Sequence, residues 1–293
     1  MRAVKEKAYA KINLYLDVIS RREDGFHDIK SVMHSVSLAD EITVIATPSS
    51  TTQIKMFIKG NKFLPADEKN LAVRAARLYL ETAQRNANIE IRLDKKIPVA
   101  AGLAGGSSDA AATLRAMNKL FGKIFTDRAM LKMAAAIGSD VPYCLYGKTA
   151  LCEGRGEIIT KLPDSLRLNA VLAIANERIA TPSAYKKLDE IYSSFDGSID
   201  TGGDEYYNQL ISSMNSCGQI PLELFNIFEK AVLPICKGAT KIKSRLSDLG
   251  ARSVLMSGSG PSVYGIFDTL EQASLASKLL SRENITAYAV KSV

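Results

Sequence analysis

The stretch Pro98-Val99-Ala100-Ala101-Gly102-Leu103-Ala104-Gly105-Gly106-Ser107-Ser108-Asp109 has the residue types of a polyphosphate cradle. Glycines let an anion reach the backbone with no side chain in the way, and a helix start offers unpaired N–H groups and a partial positive charge. The hydroxyls of Ser107 and Ser108 can add hydrogen bonds or face a phosphate-bound cation. A plainer reading fits the same residues, a loop before a helix in which Ser and Asp are caps. A second candidate is Asp140, in Gly138-Ser139-Asp140-Val141-Pro142. It reads as the N-cap of a short helix with Pro142 in the first turn, and capping would fix its carboxylate and lower its pKa. An Asp held this way can still take a proton from a hydroxyl. Two common phosphate-binding templates are missing, G-x-x-x-x-G-K-[ST] and a G-x-G-x-x-G after a strand, and so are the H-R-D and D-F-G of protein kinases.

The elements around these residues give an α+β pattern. Residues 89–93 alternate as a strand before the loop, and Ala110, Leu114, Met117 and Phe121 recur at helical spacing after it, up to Gly122. Residues 8–18 form a strand with Ile12, Leu14 and Leu16 on one face and Lys11, Asn13 and Tyr15 on the other. Taken alone, that stretch puts Lys11 and Asn13 in water. An Asp24-Gly25 turn leads into strands at 32–36, 41–46 and 53–58, and Asn70 caps a helix over 70–80. A further helix runs from Thr126 to Gly138. Residues 168–175 read as a buried strand, and Thr181 as cap with Pro182 at the first helical position starts a helix. Residues 196–203 are loop, followed by helices at 204–213, 222–235 and 240–249. Strand, glycine turn and strand fill 253–267, and a helix over 270–282 and a strand over 285–290 end the chain. Strands then helices, over 293 residues, predict two domains, 1–160 and 161–293.

Composition narrows the class. Thirty-eight basic and 31 acidic residues give a net charge of +7, which suits anionic substrates, but no Lys/Arg block marks a nucleic-acid tail. Cys144, Cys152, Cys217 and Cys236 lack C-x-x-C spacing, and with only His27 and His34 beside them a zinc site is not expected. No run resembles a signal peptide or a membrane span, so a cytoplasmic protein with reduced thiols is expected.

Three motifs, in order, resemble those of the GHMP kinases, the galacto-, homoserine, mevalonate and phosphomevalonate kinases. Residues 10–14 are similar to the first, 98–108 to the second, P-x-x-x-G-L-(G/A)-(S/G)-S-S, and 253–267 to the third. Gly25-Phe26-His27-Asp28, the Asp140 segment and Gly154-Arg155-Gly156 are similar to the branch that phosphorylates the 2-hydroxyl of CDP-methylerythritol in non-mevalonate isoprenoid synthesis. The resemblance implies a two-domain α+β fold, the first domain like the second domain of ribosomal protein S5. It implies ATP with Mg2+ as donor, bound by Pro98, Val99, Ala100, Ala101, Gly102, Leu103, Ala104, Gly105, Gly106, Ser107 and Ser108, with the purine near Asn70, Leu71 and Lys95 or Lys96. Asp140 is implied as base with Lys11 beside it, and Asn13, Phe26, His27, Thr181 and Tyr185 as the acceptor site, the cytosine lying between Phe26 and Tyr185. Small molecules are the implied partners, with no nucleic acid, no membrane, no dedicated metal ligands, and a monomer or weak homodimer. Ala100 and Ala104 stand where this branch often has glycine, Phe26 where it often has tyrosine, and Tyr185 where phenylalanine is also seen. Two alternatives are another kinase of the family, for homoserine or phosphomevalonate, and a non-catalytic nucleotide- or RNA-binding module. The Phe26-His27 segment argues against the first, and Lys11 with Asp140 against the second.

Overall fold

The structure is a computed structural model that describes residues 2–163, 166–192, 201–216 and 220–293. In chain order the elements are β1 (Arg2–Arg21), β2 (His27–Pro48), β3 (Gln53–Lys59), α1 (Leu71–Ala83), β4 (Ala87–Asp94), α2 (Gly105–Leu120), α3 (Asp127–Ile137) and α4 (Val141–Tyr146). Then follow β5 (Thr149–Gly154), β6 (Ile158–Lys161), β7 (Asn169–Ile174), α5 (Thr181–Ile191), α6 (Gly203–Ser216), β8 (Phe225–Asn226) and α7 (Phe228–Val232). The last are α8 (Lys237–Asp248), β9 (Ser253–Met256), β10 (Ser262–Phe267), α9 (Leu270–Arg282) and β11 (Thr286–Lys291).

The chain forms two compact units that interleave in sequence. One comprises residues 1–10, 38–99 and 104–147, and the other 11–37, 100–103 and 148–293. This differs from the single division at 160/161 expected from the sequence. Residues 29–34 of β2 pair antiparallel with β5, which pairs with β6, so those early residues group with the later chain.

In the first unit β4 pairs antiparallel with residues 41–48 of β2 and parallel with β3. The parallel pair needs a crossover, which α1 supplies. Ile89, Ile91 and Leu93 of β4 are buried with Ala75, Tyr79 and Leu80 of α1 and Leu114 and Met117 of α2 in one apolar core. Asn70 caps α1, its Oδ1 accepting from the Ala72 N–H at 3.0 Å, and Thr126 caps α3 through the Ala129 N–H at 3.4 Å.

In the second unit the order is β11-β7-β10-β9, all antiparallel. Every residue of β10 is buried, as befits a strand paired on both sides by β7 and β9. The core collects Val171, Val263 and Phe267 from these strands with Leu188, Phe228, Ile242, Leu246 and Leu280 from the helices. Separately, Tyr15 and Leu16 of β1 pair parallel with β8.

Three expectations change. Residues 32–36 and 41–46 are parts of one strand, β2. The 222–235 stretch is not one helix, since β8 and the short α7 occupy it. Helix α5 begins one residue earlier than expected, with Ala180 at the cap and Thr181 inside the first turn. Most of the expected 196–203 loop, and Cys217, lie outside the described residues. Among the described residues no helix is long and apolar enough to cross a membrane.

Helix α9 spans the expected residues, closed at its start by a capping box in which Thr269 and Gln272 satisfy each other's backbone N–H groups. Thr269→Ala is therefore expected to cost about 1 kcal/mol of unfolding free energy. A shift in the urea midpoint with an unchanged denaturant slope is the measurement.

Candidate active site

The glycine stretch divides between the units. In the first, α2 starts at Gly105, and its first bonded turn is closed by the Ser108 N–H to Ala104 O at 2.8 Å. The N–H groups of Gly105, Gly106 and Ser107 precede that bond, where a helix presents its donors and positive end. A Cβ added at Gly106 would meet only Leu71 Cδ1, at 3.8 Å, so this face is open and Leu71 borders it. The Ser108 hydroxyl is turned back to Gly105 O at 2.9 Å, leaving Ser107 as the half-exposed hydroxyl. Ala100 and Ala104 both adopt left-handed backbone, with φ of 55° at each. These are the two positions where alanine replaces an expected glycine.

Asn70 uses its carboxamide locally, capping α1 with Oδ1 and donating from Nδ2 to Pro65 O at 2.9 Å. Lys95 is buried, bonding Asp40 Oδ2 at 2.5 Å and Asp109 Oδ2 at 2.7 Å, so of the two lysines proposed for the purine only Lys96 has an exposed side chain. Burial pushes the Asp109 carboxyl up to about 8; Lys95 pulls against the shift and the neighbouring Asp40 adds to it. Asp140 precedes α4 but makes no side-chain cap bond, contrary to the expected capping carboxylate. Its backbone is helical at φ −83° and ψ −9°, which is not the extended conformation a capping side chain needs.

The second unit holds the middle of the loop. Leu103 O accepts from the Lys11 N–H at 3.2 Å, and Gly102 O accepts from the Ser257 hydroxyl at 3.1 Å. A Cβ on Gly102 would lie 2.3 Å from Ser257 O, so only glycine fits. Lys11 and Asn13 are not in water as their stretch alone suggested, being 4% and 1% exposed. Asn13 Oδ1 accepts from Lys11 Nζ at 2.7 Å and from the Gly258 N–H at 2.9 Å, while its Nδ2 donates to Ser31 Oγ at 2.8 Å. The result is a fixed ammonium beneath a glycine turn, 3.5 Å from where a Gly258 Cβ would stand.

The remaining expected residues gather on α5 and the start of β2. Thr181 bonds Ser259 Oγ at 2.9 Å. The His27 and Tyr185 rings stack at 4.6 Å and 21°, and His27 Nε2 meets Asp189 Oδ1 at 2.8 Å. Phe26 is half exposed, its ring 5.1 Å from the Arg155 guanidinium carbon. Thr181, Tyr185 and Asp189 are spaced four apart on α5, which puts them on one face.

Comparison with known sequences and structures points to one family. Residues 70–148 match the sequence model described as the GHMP kinases N terminal domain, and 208–284 the GHMP kinases C terminal domain. A 4-diphosphocytidyl-2-C-methyl-D-erythritol kinase of Lachnospira eligens is 38% identical over 97% of this chain and 95% of its own length. The chain belongs to the GHMP kinase family. A kinase of the same name from a Geobacillus species is 41% identical over 89% of this chain and 86% of its own. A crystal structure of 4-(cytidine 5'-diphospho)-2C-methyl-D-erythritol kinase superposes with a TM-score of 0.79 at 31% identity, covering 98% of each chain. A homoserine kinase from Cytophaga hutchinsonii shares the fold, with a TM-score of 0.76 at 23% identity over 100% of this chain and 95% of its own. As a GHMP kinase the chain takes ATP as its phosphoryl donor.

Some residues that build the site of this GHMP kinase had no motif to announce them. Asn226 on β8 donates to Met256 O at 2.7 Å and to Gly258 O at 2.8 Å, holding the third motif's turn. The signal for it was an Asn in mid-helix of the expected 222–235 helix, a poor place for that residue. Asp189, Ser31 and Asp40 were also missed, as were the bonds that join Lys95 to Asp40 and Asp109.

Left-handed backbone costs a non-glycine residue about 1–2 kcal/mol, part of which alanine recovers through a less flexible unfolded chain. Ala104→Gly is expected to leave stability within about 1 kcal/mol of wild type or above it, and Ala104→Val to lower it by more than that. Denaturation midpoints of the two variants test the conformation.

Proposed function

We infer that this GHMP kinase transfers the γ-phosphoryl group of ATP to the 2-hydroxyl of CDP-methylerythritol, a step of non-mevalonate isoprenoid precursor synthesis. The observation that supports phosphoryl transfer is the Lys11 ammonium, buried and fixed by Asn13 next to the loop's own backbone. The acceptor rests on the shared name of relatives 38% and 41% identical over most of the chain.

The acceptor oxygen attacks the γ-phosphorus, the bond to the β–γ bridging oxygen breaks, ADP leaves, and the hydroxyl proton passes to Asp140. The transition state is loose, so the protein contributes chiefly position and charge. Gly105, Gly106 and Ser107 face the polyphosphate with backbone N–H groups. Lys11 meets the charge that gathers on the transferring group, and because Asn13 already orients it, no reorganisation is needed during reaction. Mg2+ bound with the nucleotide would neutralise its phosphates. Ser107 is the hydroxyl left to reach it.

Phe26 offers an exposed ring face to the cytosine, and Tyr185 backs the His27 ring whose backbone reads the base's donors and acceptors. Asp189 orients that imidazole. Asn13 and Thr181 are assigned to the methylerythritol and phosphate ends.

Asp140→Asn keeps the side-chain shape without a proton acceptor and is expected to lower kcat by roughly 10²–10⁴ with little change in KM. Lys11→Ala should also lower kcat, and the double variant should lose less than the product of the two effects if both act on one phosphoryl group. Fully multiplicative losses would separate them. The acceptor assignment is tested by Phe26→Ala. Losing the exposed ring's stacking on the base, about 1–3 kcal/mol, should raise the acceptor KM roughly tenfold to a hundredfold and leave the ATP KM unmoved. A uridine analogue phosphorylated as fast as the cytidine compound, or homoserine or phosphomevalonate used in preference, would refute this acceptor.

A further inference from the structure

The buried cluster of Lys95, Asp40 and Asp109 takes no part in the chemistry above, yet it lies where the nucleotide loop begins and ends. Lys95 Nζ bonds Asp40 at 2.5 Å and Asp109 at 2.7 Å. The other Asp40 oxygen accepts the N–H groups of Lys96, at 2.5 Å, and Ile97, at 2.7 Å, the two residues that lead into Pro98. Asp109 stands on α2, one turn after Gly105, and a Cβ on Gly105 would lie 3.0 Å from Lys95 Nζ. One ammonium thus ties the segment entering the loop to the helix leaving it.

We propose that Lys95, Asp40 and Asp109 are positioning residues of the nucleotide site, setting the spacing between the two ends of the glycine loop with a cluster kept electrically neutral by one shared proton. This rests on reading the loop as the ATP site. Two ionised carboxylates around one ammonium would bury an odd negative charge among side chains 0–4% exposed, which is costly. Asp109 is the group that keeps the proton. Its Oδ1 is buried with no hydrogen-bond partner, and the charged groups facing it are Lys95, from the segment after β4, and Asp40, from β2. Its raised pKa means the native chain binds a proton that the unfolded chain has released. Wild-type stability therefore falls as pH rises from the ordinary carboxylate range to about 8. Above that, the cluster carries a negative charge beneath a loop that must accept a polyphosphate.

The experiment compares wild type, Asp109→Asn and Asp109→Ala as full chains, by ATP calorimetry and steady-state kinetics at about pH 7.5 and about pH 9.5 and by thermal melting without nucleotide. Asparagine keeps the bond to Lys95 and cannot ionise. Alanine leaves the Lys95–Asp40 pair but cuts the tie to α2. The expected result is wild-type ATP affinity several-fold weaker at the higher pH, with Asp109→Asn flat across the range. Asp109→Asn should also melt higher than wild type, by a margin that widens toward pH 8. Asp109→Ala should bind ATP about tenfold more weakly than wild type at the lower pH, with the acceptor KM unchanged. Unchanged ATP affinity in a folded Asp109→Ala would overturn the positioning role, and a wild-type pH profile shared by Asp109→Asn would overturn the proton assignment. A wild-type chain that binds no ATP would overturn the loop reading itself, and the proposal with it, a result told apart from the others because no variant could then differ.

Discussion

The second unit's site hangs on one carboxamide oxygen. Asn13 Oδ1 accepts at once from the Lys11 ammonium and from the backbone of Gly258, while its own backbone carbonyl takes the Tyr264 hydroxyl at 2.9 Å. A buried lysine is tolerable only with partners, and the Asn13 carboxamide oxygen is one of them. Tyr264 is itself buried, and that burial holds its hydroxyl far above the usual phenol range, so it serves only as a neutral donor.

The glycine loop has a related problem. As the proposed nucleotide site it must expose backbone N–H groups to a ligand, and so cannot bind them all internally. Rigidity then comes from its carbonyls and its ends. Gly102 O and Leu103 O are held by Ser257 and the Lys11 N–H, and the entering residues by Asp40. In the nucleotide site proposed above, the N–H groups at the start of α2 are the donors for substrate, while the carbonyls of Gly102 and Leu103 serve structure. Asn226 carries the same logic one step outward, donating twice to the carbonyls of the third motif's turn.

How legible all this is from sequence depends on where each residue's partner lies. Helix α9 could be read to the residue because its signals, a capping box and a periodic apolar face, are local. Residues 222–235 misled because Leu222, Phe225, Phe228 and Val232 keep helical spacing, while β8 is imposed by parallel pairing with Leu16. The loop and its helix were legible as a glycine turn running into a helix start, since glycine and serine ahead of an amphipathic run are local signals. The burial of Lys11 and Asn13 was not, because the Gly258 amide that pairs with Asn13 is 245 residues away. The Lys95–Asp40 pair spans 55 residues and looks like two surface charges in the sequence. Resemblance to a family is what turned Lys11 into a site candidate, where the alternation of β1 alone pointed to solvent and the side chain is buried.

The pairing of Tyr15 and Leu16 with Phe225 and Asn226 has a consequence for biosynthesis. The chain emerges from the ribosome amino-terminus first, so this edge of β1 waits for its partner through about 200 residues of further elongation, roughly 10–40 s at ordinary rates. The other unit needs nothing beyond residue 147 and has all its sequence midway through translation. Assembly is thereby staggered, with an early folding body and a late one that shares its first strands. A nascent chain of this kind carries an unpaired strand edge for most of its synthesis, which makes it a natural client for holding chaperones.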